Sequence, residues 1–138
     1  MTSLILLCYG ELGQELLKAA QHIMQQPLSD IQVISVFDHA DTVETLNRQL
    51  QQAINLTETD RQTLILSDLH GCTHFNIARK LVKPSQLALV SGVNLAMLLR
   101  AINHQHDDLL SLSQYAEEGG VLGISTISTA PANEPQSA

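Results

Sequence analysis

The chain alternates between short unbroken apolar runs and stretches whose apolar residues recur at helical spacing. Leu4-Ile5-Leu6-Leu7-Cys8 has no polar interruption, the pattern of a strand covered on both faces, so it is expected at the centre of a sheet. Leu12, Leu16, Leu17, Ala20, Ile23 and Met24 then predict an amphipathic helix that stops at Gln26-Pro27, because the residue before proline is pushed out of the α region. Ile31 to Phe37 reads as a second strand. Asp41 with Glu44 resembles a capping box, ahead of a helix lined by Val43, Leu46, Leu50, Ala53 and Ile54. Thr63 to Ser67 is a third strand, and Phe75, Ala78, Leu81 and Val82 give a short helix that stops before Pro84. Leu87 to Val90 is the fourth strand.

Asn94 is a good N-cap for a helix carrying Leu95, Leu98, Leu99 and Ile102. Asp107 and Asp108 favour the positive end of one more helix, through Ala116, which Gly119-Gly120 is expected to end. Val121 to Ile127 is expected as a fifth strand. The domain then spans 1–128, and 129–138, with its Pro, Ser and Asn, reads as a disordered tail. Strands alternating with helices imply right-handed βαβ units: an α/β, flavodoxin-like doubly wound layout with a mostly parallel sheet and helices on both faces. Ligands in such sheets sit at the carboxyl ends of strands. The first, third and fourth strand ends are therefore expected to bring Cys8, Tyr9, Gly10, Asp68, His70, Cys72 and Asn94 together.

Composition narrows the function classes. The 138 residues fit one domain, and with no Trp, two Tyr and two Phe the core must be aliphatic. A formal charge of −7, from 7 Lys plus Arg against 14 Asp plus Glu, opposes a phosphate backbone and argues against nucleic acid as a partner. No apolar run reaches the roughly 20 residues that span a bilayer, and the first residues lack the basic flank of a signal peptide. A cytoplasmic protein is expected, with at most indirect membrane association and with Cys8 and Cys72 as reduced thiols. Gly10-Glu11-Leu12-Gly13 is not a full dinucleotide fingerprint and no phosphate-loop lysine motif occurs, so no cofactor is expected.

Asp68-Leu69-His70-Gly71-Cys72-Thr73-His74-Phe75-Asn76-Ile77-Ala78 resembles a segment of the IIA components of the mannose-family sugar phosphotransferase system. Gly92-Val93-Asn94-Leu95-Ala96-Met97-Leu98 is similar to a second segment of that family, and the helix containing Gln14-Glu15-Leu16-Leu17-Lys18 also fits. The resemblance covers about residues 3 to 125. It implies a homodimer paired through its C-terminal segment, a phosphoryl group taken from the phosphocarrier HPr on a histidine at the end of the first strand, and delivery to a IIB partner. It gives Asp68 the task of holding the acceptor imidazole, and it places Gly10, Gly71, Thr73 and Asn94 around the phosphate.

Tyr9, followed by Gly10, stands where the family has His-Gly. A phenol with a pKa near 10 is a weak nucleophile at neutral pH, so transfer through position 9 is expected to be impaired. His74 also replaces a proline of the family segment, and His70 stands where an aromatic residue is common. Three readings follow. The chain keeps the fold and partners but acts as a binding or regulatory relative, with Tyr9, Asp68 and His70 at the catalytic positions. Alternatively, His70 or His74 has become the acceptor. Or Cys8, Cys72, His70, His74 and Asp68 form a metal or redox site, although their spacing is irregular and no metal ligand is assigned.

Plainer roles stand beside these. Cys8 fits a small buried residue, Tyr9 a cap over the crevice, and Asp68 an acceptor at a helix start. His70 and His74 fit loop histidines without chemistry, while His39, His104 and His106 are expected to face solvent.

Overall fold

The computed structural model describes residues 1–37, 42–55 and 61–129. Strands and helices alternate as β1 (Ser3–Tyr9), α1 (Leu12–Met24), β2 (Gln32–Val36), α2 (Val43–Asn55), β3 (Thr63–Ser67), α3 (Thr73–Arg79) and β4 (Leu87–Val90), followed by α4 (Leu95–Asn103) and α5 (Leu109–Leu122). The sheet runs in the order β2-β1-β3-β4, and every pairing is parallel. β1 is central because both its edges are paired and both its faces are covered: Leu4 to Cys8 are all essentially inaccessible. Strand order reverses between β1 and β3, so a crevice opens at their carboxyl ends. This is the flavodoxin-like layout expected from the alternating periods.

Period-two alternation divides the core into two layers. Leu4, Leu6, Leu64 and Leu66 pack with Leu98 and Leu112 on the side of α1, α4 and α5. Ile5, Leu7 and Ile65 pack with Leu46, Leu50 and Ile77 on the side of α2 and α3. Each fully buried leucine or isoleucine stabilises the fold by about 1.5–3 kcal/mol.

The caps confirm two sequence readings and leave one outside view. Asn94 Oδ1 accepts the Met97 N–H at 2.8 Å, and Asp108 Oδ1 accepts that of Ser111 at 2.9 Å. Asp41 of the expected capping box lies outside the described residues, and within them Thr42 Oγ1 accepts the Thr45 N–H at 3.1 Å. The tail assigned to 129–138 lies outside them from 130 onward.

Two expectations are overturned at the C-terminal end. Gly119 and Gly120 do not end α5 but lie inside it, and the expected strand over Val121–Ile127 is not formed: α5 runs to Leu122, and 124–129 carry no regular structure. The reason is tertiary. A Cβ on Gly119 would lie 2.6 Å from Cβ of Arg100, and one on Gly120 would lie 2.7 Å from Cε of Met97. These glycines let α5 settle onto α4, and that packing outweighs their weak helix propensity of about 1 kcal/mol each.

Candidate functional site

Asp68 follows the last residue of β3, where the chain leaves the sheet for the turn into α3. Its carboxylate bridges two strand ends. Oδ2 accepts the backbone N–H of Tyr9 at 2.8 Å, and Oδ1 accepts that of Leu69 at 2.8 Å. Oδ1 also lies 2.6 Å from Nε2 of His74, which must be the donor when the carboxylate is ionised. Burial raises the Asp68 pKa, but the Tyr9 N–H, the His74 bond and charge, and the Leu69 N–H outweigh it and hold the carboxyl below its ordinary value.

His74 sits in the first turn of α3, and its side chain is fully inaccessible beside an Asp68 side chain that is 10% exposed. Its ring meets that of Tyr9 edge to face, with centroids 4.6 Å apart. Cys72, half-buried at the N-cap of α3, places Sγ 3.2 Å from Nε2 and 3.4 Å from Nδ1 of the same imidazole. Asp68, Cys72, His74 and Tyr9 thus form one packed polar cluster at the end of β1 and β3.

The other expected residues divide around it. His70 is exposed, with its ring tilted against Phe75 at 4.6 Å and Nδ1 3.4 Å from Ser91 Oγ. Thr73 is exposed at the start of α3. Gly10 and Gly71 both take positive φ, 52° and 83°; a side chain at Gly71 would meet no atom but would strain the left-handed backbone on which the turn depends. Both polar ends of Asn94 serve the fold, because Oδ1 caps α4 and Nδ2 donates to the Gly120 carbonyl at 3.0 Å.

Cys8 does not join the cluster. It faces α1, where a Cβ on Gly13 would lie 3.6 Å from its Sγ, and burial, followed by the Asp68 charge, pushes its thiol up to about 12. Of the five residues of the expected metal or redox site, the ligand atoms of Asp68, Cys72 and His74 converge among the described residues, whereas Cys8 and His70, grouped with Cys72 in the redox alternative, do not join them. Alternation along β1 sends Cys8 and Tyr9 to opposite faces, and the exposed turn carries His70 away from Asp68. The burial of His74 was the feature least visible in the sequence, since its i+6 spacing from Asp68 crosses a turn before α3 begins. His104, expected in solvent, stacks on Tyr115 at 3.9 Å and bonds Asp107, whereas His106 is exposed. His39 lies outside the described residues.

The doubly wound sheet, whose β3 end presents a hydrogen-bonded aspartate to the β1 end, marks the chain as an α/β domain with a polar site at its switch point, and comparison with known proteins gives its family. The family described as PTS system fructose IIA component matches residues 3–117. The chain belongs to that family of phosphotransferase-system IIA components. Among solved structures, the mannose/sorbose-specific IIA subunit of the phosphotransferase system from Enterococcus faecalis is similar at 28% identity, covering 96% of this chain and 98% of its own, with a TM-score of 0.83. Phosphotransferase system component EIIA from Streptococcus agalactiae shares the fold at 21% identity, covering 94% and 100%, with a TM-score of 0.82. The PTS IIA protein associated with the fucose utilization operon from Streptococcus pneumoniae shares it at 14% identity, covering 91% and 96%, with a TM-score of 0.75. No curated protein matches the chain.

Proposed function

We propose that this IIA-family protein binds an HPr-type phosphocarrier and a IIB component but is impaired in phosphoryl transfer, acting as a binding or regulatory relative. The observation that carries this reading is the engagement of Asp68. Its carboxylate, which the family resemblance assigns to an acceptor imidazole at position 9, is met there by a backbone N–H and a phenol-bearing residue, and its remaining capacity goes to buried His74.

An acceptor histidine needs two properties together: an oriented, neutral ring and a nitrogen that an incoming phosphorus can reach. His74 has the carboxylate but no accessible surface, while His70 has the surface but no bond to Asp68. The division of these properties argues against either histidine as a substitute acceptor. Gly10, Gly71 and Thr73 remain at the crevice as backbone and hydroxyl donors for a phosphorylated partner's oxygens, with Asn94 fixing the α4 end beside them.

The reading includes a cytoplasmic location and a homodimer. Among the described residues no helix is long and apolar enough to cross a membrane. Val121, Leu122, Ile124 and Ile127 are 62%, 68%, 76% and 96% exposed, an apolar C-terminal face suited to pairing. A monomer mass by light scattering at micromolar concentration would remove the dimer from the proposal. For transfer, the chain is incubated with phosphoenolpyruvate, enzyme I and HPr, followed by intact-mass and acid-lability analysis. Labelled HPr beside an unlabelled chain is the expected result; acid-labile phosphate on the chain would overturn the reading.

A further inference from the structure

We infer that Asp68, Cys72 and His74 form a preassembled binding site for a zinc-class divalent transition-metal ion. One ligand atom from each residue, a carboxylate oxygen, a thiol sulfur and an imidazole nitrogen, lies within 4.8 Å of the other two. His74 Nε2 is 2.6 Å from Asp68 Oδ1 and 3.2 Å from Cys72 Sγ. A tetrahedral centre with zinc-type bond lengths holds such atoms roughly 3.3–3.6 Å apart, so on binding the Asp68–His74 contact lengthens by about 0.7 Å and the Cys72–His74 contact by a few tenths of an ångström.

The chemistry of the set suits this class of ion. Thiolate, imidazole and carboxylate are the three ligand types that borderline zinc accepts, and hard oxygen-seeking cations would not select the sulfur. Two anionic ligands balance the charge of a divalent ion, so the buried centre is neutral. On binding, Cys72 loses its thiol proton and the ring hydrogen of His74 moves from Nε2 to Nδ1, leaving Nε2 to coordinate.

The surroundings already hold the ligands in place. The Tyr9 N–H fixes Oδ2 of Asp68 and the Leu69 N–H fixes Oδ1, while the Tyr9 ring braces the imidazole edge to face. Outer contacts of this kind orient ligands in metal sites. Ser67, fully buried one residue before Asp68 and on the same face of β3 as Ile65, keeps a hydroxyl with no hydrogen-bond partner, an uncommitted oxygen on the face that carries α3. Cys72 is half-buried and Asp68 partly exposed, which leaves the fourth coordination position on the crevice side.

The test uses the full chain, reduced and stripped of metal, titrated with zinc against a chromophoric chelator and separately with cobalt. The inference expects a single equivalent bound, together with a thiolate-to-cobalt charge-transfer band and the visible absorption of a tetrahedral centre. C72S and H74N should each weaken zinc at least about tenfold, and C72S should abolish the charge-transfer band, whereas C8A should keep it. Circular dichroism of both variants checks that the fold persists. Should C72S fail to fold, the wild-type cobalt spectrum and H74N still decide. Absence of stoichiometric metal in the wild type, an octahedral cobalt spectrum without thiolate, or a band lost in C8A but kept in C72S would each overturn it. The readout is independent of phosphotransfer, so it stands or falls separately from the function proposed above.

Discussion

The two faces of the sheet are built for different purposes. On the side of α1, α4 and α5, leucines and alanines close against one another, and glycines serve as notches that bring α5 onto Arg100 and Met97. On the side of α2 and α3 the core is equally apolar in its middle, but at the carboxyl ends of β1 and β3 it gives way to a carboxylate, a thiol and a buried imidazole. The first arrangement holds a platform still; the second keeps reactive groups in low-dielectric surroundings, where they are costly unless paired. Stability should therefore depend mainly on the first and chemistry on the second.

That contrast can be broken by mutation. The largest effect is expected for L98A, which empties a fully buried position and should cost about 3 kcal/mol in urea denaturation. G119V comes next, at about 2 kcal/mol, because a side chain there collides with Arg100 at a helix seam that cannot widen freely. N94A removes a cap and a tie to α5 and should cost about 1 kcal/mol. A loss of 2 kcal/mol or more from H70A, an exposed residue expected to shift stability by under about 0.5 kcal/mol, would show that the platform and the site are not separable.

A pH experiment sharpens the same contrast. The folded-state pKa of Asp68 is depressed, so its contribution to stability is present above the unfolded value, about 3.9, and is lost as pH falls through the lower folded value. Comparing wild type with D68N along an acid titration should show a shallower acid loss in the variant. Parallel curves would mean that the Tyr9, Leu69 and His74 contacts to the carboxylate contribute no net preference for its charged form.

Much of this was legible in residues that act locally. The continuous apolar run of β1, the stop of α1 ahead of Pro27, and the Asn94 and Asp108 caps each follow from interactions spanning only a few residues, whereas α3 ends at Arg79, short of the Leu81 and Val82 expected in it. The family segments around Asp68 and Asn94 were also readable, and they carried the family assignment. The end of α5 was not, because Gly119-Gly120 has the composition of a helix stop and only Arg100 and Met97, some twenty residues earlier, turn it into a seam. Nor was the partner of Asp68: two histidines flank it in sequence, and nothing local distinguishes the one that stays in solvent from the one that is buried.

The sequence by itself determined β1 to β4, α1 to α4 and the start of α5, the family, and the absence of a histidine at position 9, because periodicity, capping and residue identity are local properties. Tertiary structure alone decided that His74, not His70, meets Asp68, that Cys8 and Cys72 lie apart, and that α5 runs through Gly119-Gly120 to Leu122 with no strand after it among the described residues. Those outcomes depend on which face a strand turns to the core and which helix packs against another, and the free energy of burial is settled only when distant parts of the chain meet.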